Sequence, residues 1–284
     1  MSSQKQKSVV LIAGPTASGK SRLALEMASA RRGVIINADS MQVYRELQLL
    51  TARPSQRDEE IVSHRLYGHI QAEDYSVARW LADARSEIMA AHEAGLLPIL
   101  CGGTGLYFRA LERGLAELPA IPAEIRNYWR SFKGDLHLEL EVRDRDGAAL
   151  LNPADRQRLI RALEVLDATG KPLRQWQGEA VSTSALQGWD VERHYVNPSR
   201  GLLYERAERR FDEMMEQGAL EEVRNLAPLA PAHPLSKAIG LRELQAHLRG
   251  EISIAEAVTL AKTSTRHYIK RQLTWWRGQM KDWG

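Results

Sequence analysis

Cysteine is almost absent from this sequence of 284 residues, in which Cys101 is the single example. One thiol excludes an internal disulfide, and we interpret Cys101 as a small buried hydrophobic residue rather than a nucleophile. Apolar runs never approach the roughly 18 residues of a transmembrane helix, so we expect no membrane partner. The apolar stretch 9–13 is too short for a signal peptide. Together these absences predict a cytoplasmic protein.

A large excess of one charge and a metal-ligand pattern are also missing. The net charge is +3 with a pI near 9.0, which only weakly favours a nucleic-acid partner because many proteins with this balance bind none. The eight histidines show no spacing typical of a metal site. Hydrophobic residues at 44% and charged residues at 26% are ordinary values for a globular protein.

Strand and helix patterns alternate along the first part of the chain. Buried strands are predicted at 8–13, 34–36 and 97–101, with helices at 22–31 and 77–94. Strand–turn–helix units repeated in this way predict an α/β core with a parallel sheet.

The pattern becomes mainly helical further along, which predicts three regions. We expect a first part of the core at 1–117, a helical insertion domain at 118–192, and core completion with C-terminal helices at 193–284. The last region is expected to begin with a strand near 193–196 that returns to the sheet. Its helices are predicted at about 200–216, 218–227, 240–249 and 254–277.

The segment GPTASGKS, which begins at Gly14, matches the phosphate-loop pattern G-x-x-x-x-G-K-[ST]. Its glycines let the backbone curl so that successive N–H groups point at phosphate oxygens, and the helix that follows adds its positive N-terminal end. Lys20 supplies a positive charge, and the Ser21 hydroxyl can coordinate Mg²⁺. The motif follows a predicted strand and opens a predicted helix, as it should. We therefore predict a diphosphate site made of Gly14, Pro15, Thr16, Ala17, Ser18, Gly19, Lys20 and Ser21.

The presence or absence of acidic residues near this loop indicates whether it supports nucleotide hydrolysis or another reaction. Enzymes that hydrolyse nucleotides usually carry an acidic residue at the end of a later buried strand, but strand 97–101 is followed by Gly102-Gly103-Thr104. This favours phosphate binding without hydrolysis. Asp39 follows the second predicted strand, at the edge of the sheet where the phosphate loop is expected. It can act there as a general base, or it can be a turn or helix-capping residue.

A series of longer blocks follows the phosphate loop in a specific order. They are ADSMQVYR, TARP, YSVARW, PILCGGTGLYFRAL, DRQRLIRALEV, RAERRFDEMMEQGALEEVRNL, KAIGLRE and KRQLTWWRG. Together, from about 8 to 278, they closely resemble the bacterial tRNA dimethylallyltransferases. The resemblance implies a P-loop NTPase-like core with a tRNA-binding helical insertion. The departures from the family pattern are at Arg53, at Ser63-His64-Arg65 and at Cys101, and none touches the expected chemistry.

The resemblance implies a reaction and its partners. The dimethylallyl group passes from dimethylallyl diphosphate to N6 of the adenine 3′ of the anticodon in tRNA, diphosphate leaves, and Mg²⁺ assists. Asp39 is the implied general base for the N6 proton, Thr104 is implied to lie near the adenine, and Arg210 is implied on the diphosphate side. We expect a monomer with no stable protein partner.

The resemblance also implies contacts with the tRNA anticodon stem-loop. The implied positions are Asp39, Ser40, Met41, Gln42, Thr104, Arg126, Gln157, Arg158, Leu159, Ile160, Arg161, Lys237 and Arg242. Without the resemblance, Arg158 and Arg161 would be an ordinary solvated pair on one helix face. Trp275 and Trp276 are predicted to be structural. The insertion is expected to move when tRNA binds.

Three alternatives stay open from the sequence. A P-loop kinase uses the same loop but needs a nucleoside pocket and usually an arginine-rich lid. An adenylate isopentenyltransferase shares the chemistry without needing an RNA-binding insertion. A non-catalytic RNA-binding protein with a vestigial loop would have no need of Lys20, Ser21, Asp39 and Thr104 together.

Overall fold

The computed structural model describes residues 6–71, 75–116, 118–179, 184–229 and 233–283. The chain forms two compact units. The first comprises Met1–Glu112 with Ala185–Gly284, and the second comprises Arg113–Ser184. The division into functional domains at 118 and 192 stays a prediction.

A parallel β-sheet forms the centre of the first unit. Its strands, within the described ranges, are β1 (Ser8–Ala13), β2 (Gly33–Asn37), β3 (His64–Arg65), β4 (Leu97–Gly102) and β5 (Asp190–Tyr195). They are arranged in the order β3-β2-β4-β1-β5, and every pairing is parallel.

The three central strands are buried because their sequences are almost continuously apolar. Such runs are typical of parallel strands that are covered on both faces. Register places Leu100 of β4 beside both Leu11 of β1 and Ile36 of β2, and all three side chains are fully buried. The predicted α/β fold with a parallel sheet is confirmed.

Two strands differ from the sequence-based expectation. The predicted strand at 193–196 begins earlier, since β5 pairs with β1 from Asp190 beside Ser8 to Tyr195 beside Ala13. Its sequence DVERHY lies at the sheet edge and is only partly buried, so it lacks the apolar run that marks a central strand. β3 was not predicted, because two residues are too few to carry a periodic signal.

Helices of the first unit cover the sheet and complete the core. Those in the described ranges are α1 (Lys20–Arg31), α2 (Gln56–Ile61), α3 (Val77–Glu93), α4 (Gly105–Arg113), and, after the second unit, α10 (Arg200–Glu216), α11 (Ala219–Arg224), α12 (Leu241–Leu248) and α13 (Ile254–Gln279). Short 3₁₀ helices span Pro234–Lys237 and Lys281–Trp283. The helix α13 packs against α10 and α12, and its residue Trp276 is buried as predicted.

The second unit is helical in its described residues. Its helices are α5 (Ala123–Ser131), α6 (Leu136–Arg143), α7 (Arg145–Ala149), α8 (Arg156–Thr169) and α9 (Leu173–Glu179). Its own apolar core includes Trp129, Leu140 and Leu163. The Asp155 side chain caps α8 by accepting from the Arg158 N–H at 3.2 Å, and Gly170, at φ 69°, ends the helix.

The helices of the described residues are not of the membrane-spanning kind. Among the residues with an assigned structure, no helix combines the length and the apolar character that crossing a bilayer requires.

Candidate active site

The phosphate loop connects β1 to the first turn of α1. Gly14 approaches the neighbouring backbone so closely that a Cβ there would lie 2.5 Å from the Val196 carbonyl oxygen. Gly19 has φ 96° and stands at the N-cap without a side-chain cap, which leaves the N–H groups of the first helical turn facing the loop. The Ser18 hydroxyl is buried and has no hydrogen-bond partner. A buried orphan hydroxyl beside a helix N-terminus fits an anionic ligand.

Two cations lie at this loop together with Asp39. Burial lowers the pKa of Lys20, and the charges of Cys101 and Asp39 oppose that change, while Arg210 adds to it. Burial also lowers the pKa of Arg210, and Asp39 again opposes the change. The Lys20 Nζ donates to the Pro15 carbonyl at 3.2 Å. Lys20, Arg210 and Asp39 therefore lie close enough to influence one another electrostatically, and the two cations suit an anionic ligand.

Asp39 is fixed by the end of β2. The buried Asn37 side chain accepts from the Asp39 N–H at 2.8 Å and donates to the Asp39 carbonyl at 3.0 Å. The Trp80 indole N–H donates to the Asn37 carbonyl at 2.9 Å, and its ring stacks on Tyr107 with centroids 4.1 Å apart. This buried anchor gives the Asp39 backbone a defined place beside the phosphate loop.

The two carboxylate oxygens of Asp39 have different surroundings. Oδ1 accepts from the Met41 N–H at 2.9 Å, which is the turn role that the sequence left open. Oδ2 faces Gly103, where a Cβ would lie 3.4 Å away. One oxygen thus holds the turn, and the other lies beside the Gly103 turn.

Thr104 lies against the same turn. Its hydroxyl accepts from the Ser40 N–H at 2.9 Å and donates to the Ser40 hydroxyl at 3.3 Å, and its own N–H donates to the Ala38 carbonyl. Gly102 permits this approach, because a Cβ there would lie 2.0 Å from the Ala38 oxygen. The structure therefore unites Asp39, Ser40 and Thr104 at the ends of neighbouring strands, where open parallel sheets bind ligands.

The Ser21 hydroxyl is the candidate metal ligand. The described part of the chain contains no group of three or more His, Cys, Asp and Glu residues that could hold a metal by itself. Mg²⁺ usually takes few protein ligands and completes its shell with water and substrate phosphate oxygens. A serine hydroxyl in the first turn after a phosphate loop fits that mode of binding.

The predicted RNA-contact residues have different settings. In the second unit, Arg126, Gln157 and Arg158 are exposed. The Arg158 guanidinium pairs with Asp155 at 3.2 Å, and that of Arg161 pairs with Glu164 at 3.4 Å.

Other predicted RNA contacts already have roles within the protein. The Leu159 side chain packs in the core of the second unit and Ile160 packs beside it, so the polar side chains of α8 are the better candidates. Met41 is half-buried beside the Asp39 turn. The Gln42 amide donates to the carbonyls of Thr51 and Ala52 at 2.9 and 2.7 Å, which gives it a structural role.

Lys237 and Arg242 lie in the first unit at a polar cleft. Both are exposed and line a cleft of about 620 Å³ together with His267 and Arg271 of α13. Three cationic side chains and a histidine at one cleft can bind phosphate groups.

Two residues at the loop were not identified from the sequence. Arg206 lies one helical turn before Arg210, and its Nη1 would be 3.9 Å from a Cβ on Gly19. The i, i+4 spacing of two arginines on one helix face was the available signal. Gln272 accepts from the Thr16 N–H at 2.9 Å and donates to the Gly103 carbonyl at 3.0 Å. Its signal was a polar residue within the apolar stripe of α13.

Two family models and many curated proteins match this chain. The model of the IPP transferase family matches residues 42–279, and that of the isopentenyl transferase family matches residues 7–75. A tRNA dimethylallyltransferase of Azorhizobium caulinodans is 53% identical, over 96% of this chain and 90% of its own length. One of Chelativorans sp. is 48% identical, with 98% of each chain covered.

Solved structures give the same result for the fold. A eukaryotic dimethylallyltransferase acting on tRNA aligns with TM-score 0.80 and 27% identity, covering 95% of this chain and 70% of the other. The tRNA isopentenylpyrophosphate transferase of Bacillus halodurans aligns with TM-score 0.67 and 32% identity, covering 96% of this chain and 88% of the other. The fold is therefore shared with solved structures of transferases that modify tRNA.

Proposed function

The chain belongs to the tRNA dimethylallyltransferase family, and on that premise we propose which of its residues carry the reaction. The enzyme transfers a dimethylallyl group from dimethylallyl diphosphate to an adenine of tRNA. The observation that supports the assignment is that Asp39 Oδ2 and the Gly14 carbonyl oxygen of the phosphate loop each lie 3.4 Å from the position of a Cβ on Gly103. Lys20 and Arg210 are within electrostatic range of the same carboxylate. We assign the diphosphate to the loop and the acceptor adenine to the side of Asp39 and Thr104.

The diphosphate half of the site stabilises a leaving group. The bond between the allylic carbon and the diphosphate oxygen breaks, so negative charge grows on the diphosphate. Lys20, Arg210 and the loop N–H groups are directed at that charge in a desolvated setting, where they act strongly. Bound diphosphate favours the charged form of Lys20, whose pKa burial lowers in the free protein. Arg206 adds a second guanidinium beside Gly19.

Magnesium has a limited role in this proposal. We infer that the Ser21 hydroxyl contributes one ligand to Mg²⁺ and that phosphate oxygens and water contribute the others. When it is bound, the ion neutralises charge on the diphosphate.

The acceptor half of the site removes a proton. The adenine N6 forms the new bond to the allylic carbon and loses a proton, which Asp39 receives as general base. Thr104 is held against Ser40, and we assign it to the wall that meets the base. The two oxygens of the Asp39 carboxylate have different surroundings, which suits this task. Oδ1 is held by the Met41 N–H, while Oδ2 lies beside the Gly103 turn and is the oxygen that we assign to the proton.

We assign tRNA binding to exposed basic side chains of each unit. In the second unit these are Arg126 and Arg158, with the half-buried Arg161 beside them, and in the first they are Lys237 and Arg242 of the cleft. Such residues contact phosphates and extruded loop bases, and their contribution falls as salt rises. We place the target at the adenine 3′ of the anticodon, and we infer a cytoplasmic enzyme that acts as a monomer.

One labelling experiment with three separate arms distinguishes this function from the alternatives. The protein is incubated with Mg²⁺ and labelled dimethylallyl diphosphate, together with unmodified tRNA or with AMP, and in a third arm with γ-labelled ATP and AMP. We expect label in tRNA adenosine and none in AMP. Label in AMP would move the assignment to a free-nucleotide prenyltransferase, and phosphate transfer from ATP would move it to a kinase.

A further inference from the structure

A buried amide on the C-terminal helix connects both halves of the site. Gln272 is 6% exposed and lies on the buried stripe of α13, between Ile269 and Trp276. A polar side chain in such a stripe must find partners, because an unsatisfied buried amide is costly. Its partners lie 256 and 169 residues away in sequence, so it connects parts of the chain that local structure cannot join.

Its two hydrogen bonds end on the two loops that face the substrates. Oε1 accepts from the N–H of Thr16 in the phosphate loop, and Nε2 donates to the carbonyl of Gly103. The absence of a side chain at Gly103 leaves room for this contact, because a Cβ would lie 2.5 Å from Nε2. The same Cβ would be 3.4 Å from Asp39 Oδ2 and from the Gly14 carbonyl oxygen. The amide therefore lies beside the phosphate loop, the general base and the turn that leads to Thr104.

The orientation of this amide is determined by its partners. The Thr16 N–H can only donate and the Gly103 carbonyl can only accept, so the reversed amide would lose both bonds. A second contact of α13 holds the same region, since Gly105 packs so tightly against the Trp275 ring that a Cβ would lie 2.1 Å from it. The helix α13 thus supports the site through Gln272 and Trp275, which lie about one helical turn apart.

We propose that Gln272 is a positioning residue that fixes the diphosphate loop relative to the Gly103–Thr104 turn, so that the allylic carbon and the acceptor amine meet in reactive geometry. The proposal rests on the proposed function, because it takes Lys20 and Asp39 as the two reacting sides. Gln272 does not touch the substrates in this account. It acts through Thr16 and Gly103, and its loss lowers the rate of the chemical step more than the affinity for either substrate.

Two Gln272 variants test its two hydrogen bonds, and one variant elsewhere on α13 serves as the control. Gln272→Met keeps the length of the side chain and removes both bonds. Gln272→Glu keeps the acceptor for Thr16 but places a carboxylate oxygen against the Gly103 carbonyl. Thr265→Val is the control, because Thr265 lies on the same buried stripe and its hydroxyl bonds only within α13, to Ala261 at 2.9 Å.

The experiment is a single-turnover measurement with enzyme in excess over labelled dimethylallyl diphosphate at saturating tRNA. The rate constant then reports the chemistry of the folded molecules, as long as active enzyme stays in excess. A separate titration of active sites with labelled dimethylallyl diphosphate reports how many molecules are folded, so partial unfolding changes only the number of active sites. We expect Gln272→Met to lower the rate constant about 10- to 100-fold, the range for a reacting group displaced by up to about 1 Å. Affinity for inorganic diphosphate and for tRNA should stay within about threefold, and Thr265→Val should match the wild type.

Each outcome bears on one claim. A wild-type rate constant in Gln272→Met with only fewer active sites would show a purely structural role and overturn the inference. If Gln272→Met does not fold, Gln272→Glu decides, since the inference requires a slower rate constant and a wild-type value contradicts it. Failure of the wild type to label tRNA would instead contradict the proposed function. Wild-type labelling with normal Gln272 variants would remove only the positioning role.

Discussion

Replacing Asp39 by Asn or by Ala separates its two roles at the site. Asparagine keeps an Oδ1 that can accept from the Met41 N–H, whereas alanine removes that acceptor. Both variants lose the negative charge that faces Lys20 and Arg210. Their comparison therefore isolates the turn hydrogen bond, while the comparison of Asp39→Asn with the wild type isolates the charge and the base.

The single-turnover rate and the stability of the fold should change by different amounts in the two variants. General-base catalysis contributes about 10²- to 10⁴-fold, so both variants should lower the single-turnover rate by that factor, equivalent to about 3 to 5 kcal/mol in the barrier. Asp39→Ala should also be less stable than Asp39→Asn by about 0.5–1.5 kcal/mol, the net value of one hydrogen bond. Affinity for diphosphate should not fall, because an anion has been removed from an anion site.

The assay combines rapid quench with labelled dimethylallyl diphosphate, urea unfolding and diphosphate binding by calorimetry. A rate for Asp39→Asn within threefold of the wild type would refute the general-base role. Equal stability of the Asn and Ala variants would refute the turn role. Weaker diphosphate binding in Asp39→Asn would contradict the placement of Asp39 beside the bound anion.

Three further predictions follow from charge and burial. Lys20→Met should abolish transfer yet unfold at higher temperature than the ligand-free wild type at neutral pH. Burial lowers the pKa of Lys20 in the folded protein, so the buried charge destabilises the fold fully below that lowered pKa. This destabilisation is relieved as pH rises toward 10.5. The difference in melting temperature between variant and wild type should therefore narrow as pH rises. Burial raises the pKa of the Cys101 thiol to about 11, so a thiol reagent should not label native protein at pH 8, and Cys101→Val should keep wild-type activity. Arg158→Ala should weaken tRNA binding and lower the slope of log affinity against log salt by about one, as measured by filter binding at several salt concentrations.

The local parts of the site were predictable from the sequence. The phosphate loop follows a strand and opens a helix, and Asp39 follows the next strand, because such motifs are encoded by neighbouring residues. The anchoring role of Asn37 was not predicted. Its hydrogen bond from Trp80 joins residues 43 apart in sequence, and no local pattern encodes that pairing.

The long-range parts could not be predicted for the same reason. Gln272 bonds a loop 256 residues away, and only the packing of α13 brings the two together. The role of Arg210 was implied by the resemblance alone, and the fold supplies its physical basis by placing it within electrostatic range of Asp39. The short β3 depends on its pairing with β2, which a two-residue segment does not indicate.

The most direct test of the account is the chemical position of the transferred group. Wild-type protein is incubated with Mg²⁺, labelled dimethylallyl diphosphate and unmodified tRNA, and the RNA is digested to nucleosides and mapped. The account predicts one labelled N6-dimethylallyl adenosine, located 3′ of the anticodon and absent when that adenine is replaced by guanine. Label on another atom or another nucleotide, or no label in tRNA at all, would contradict it.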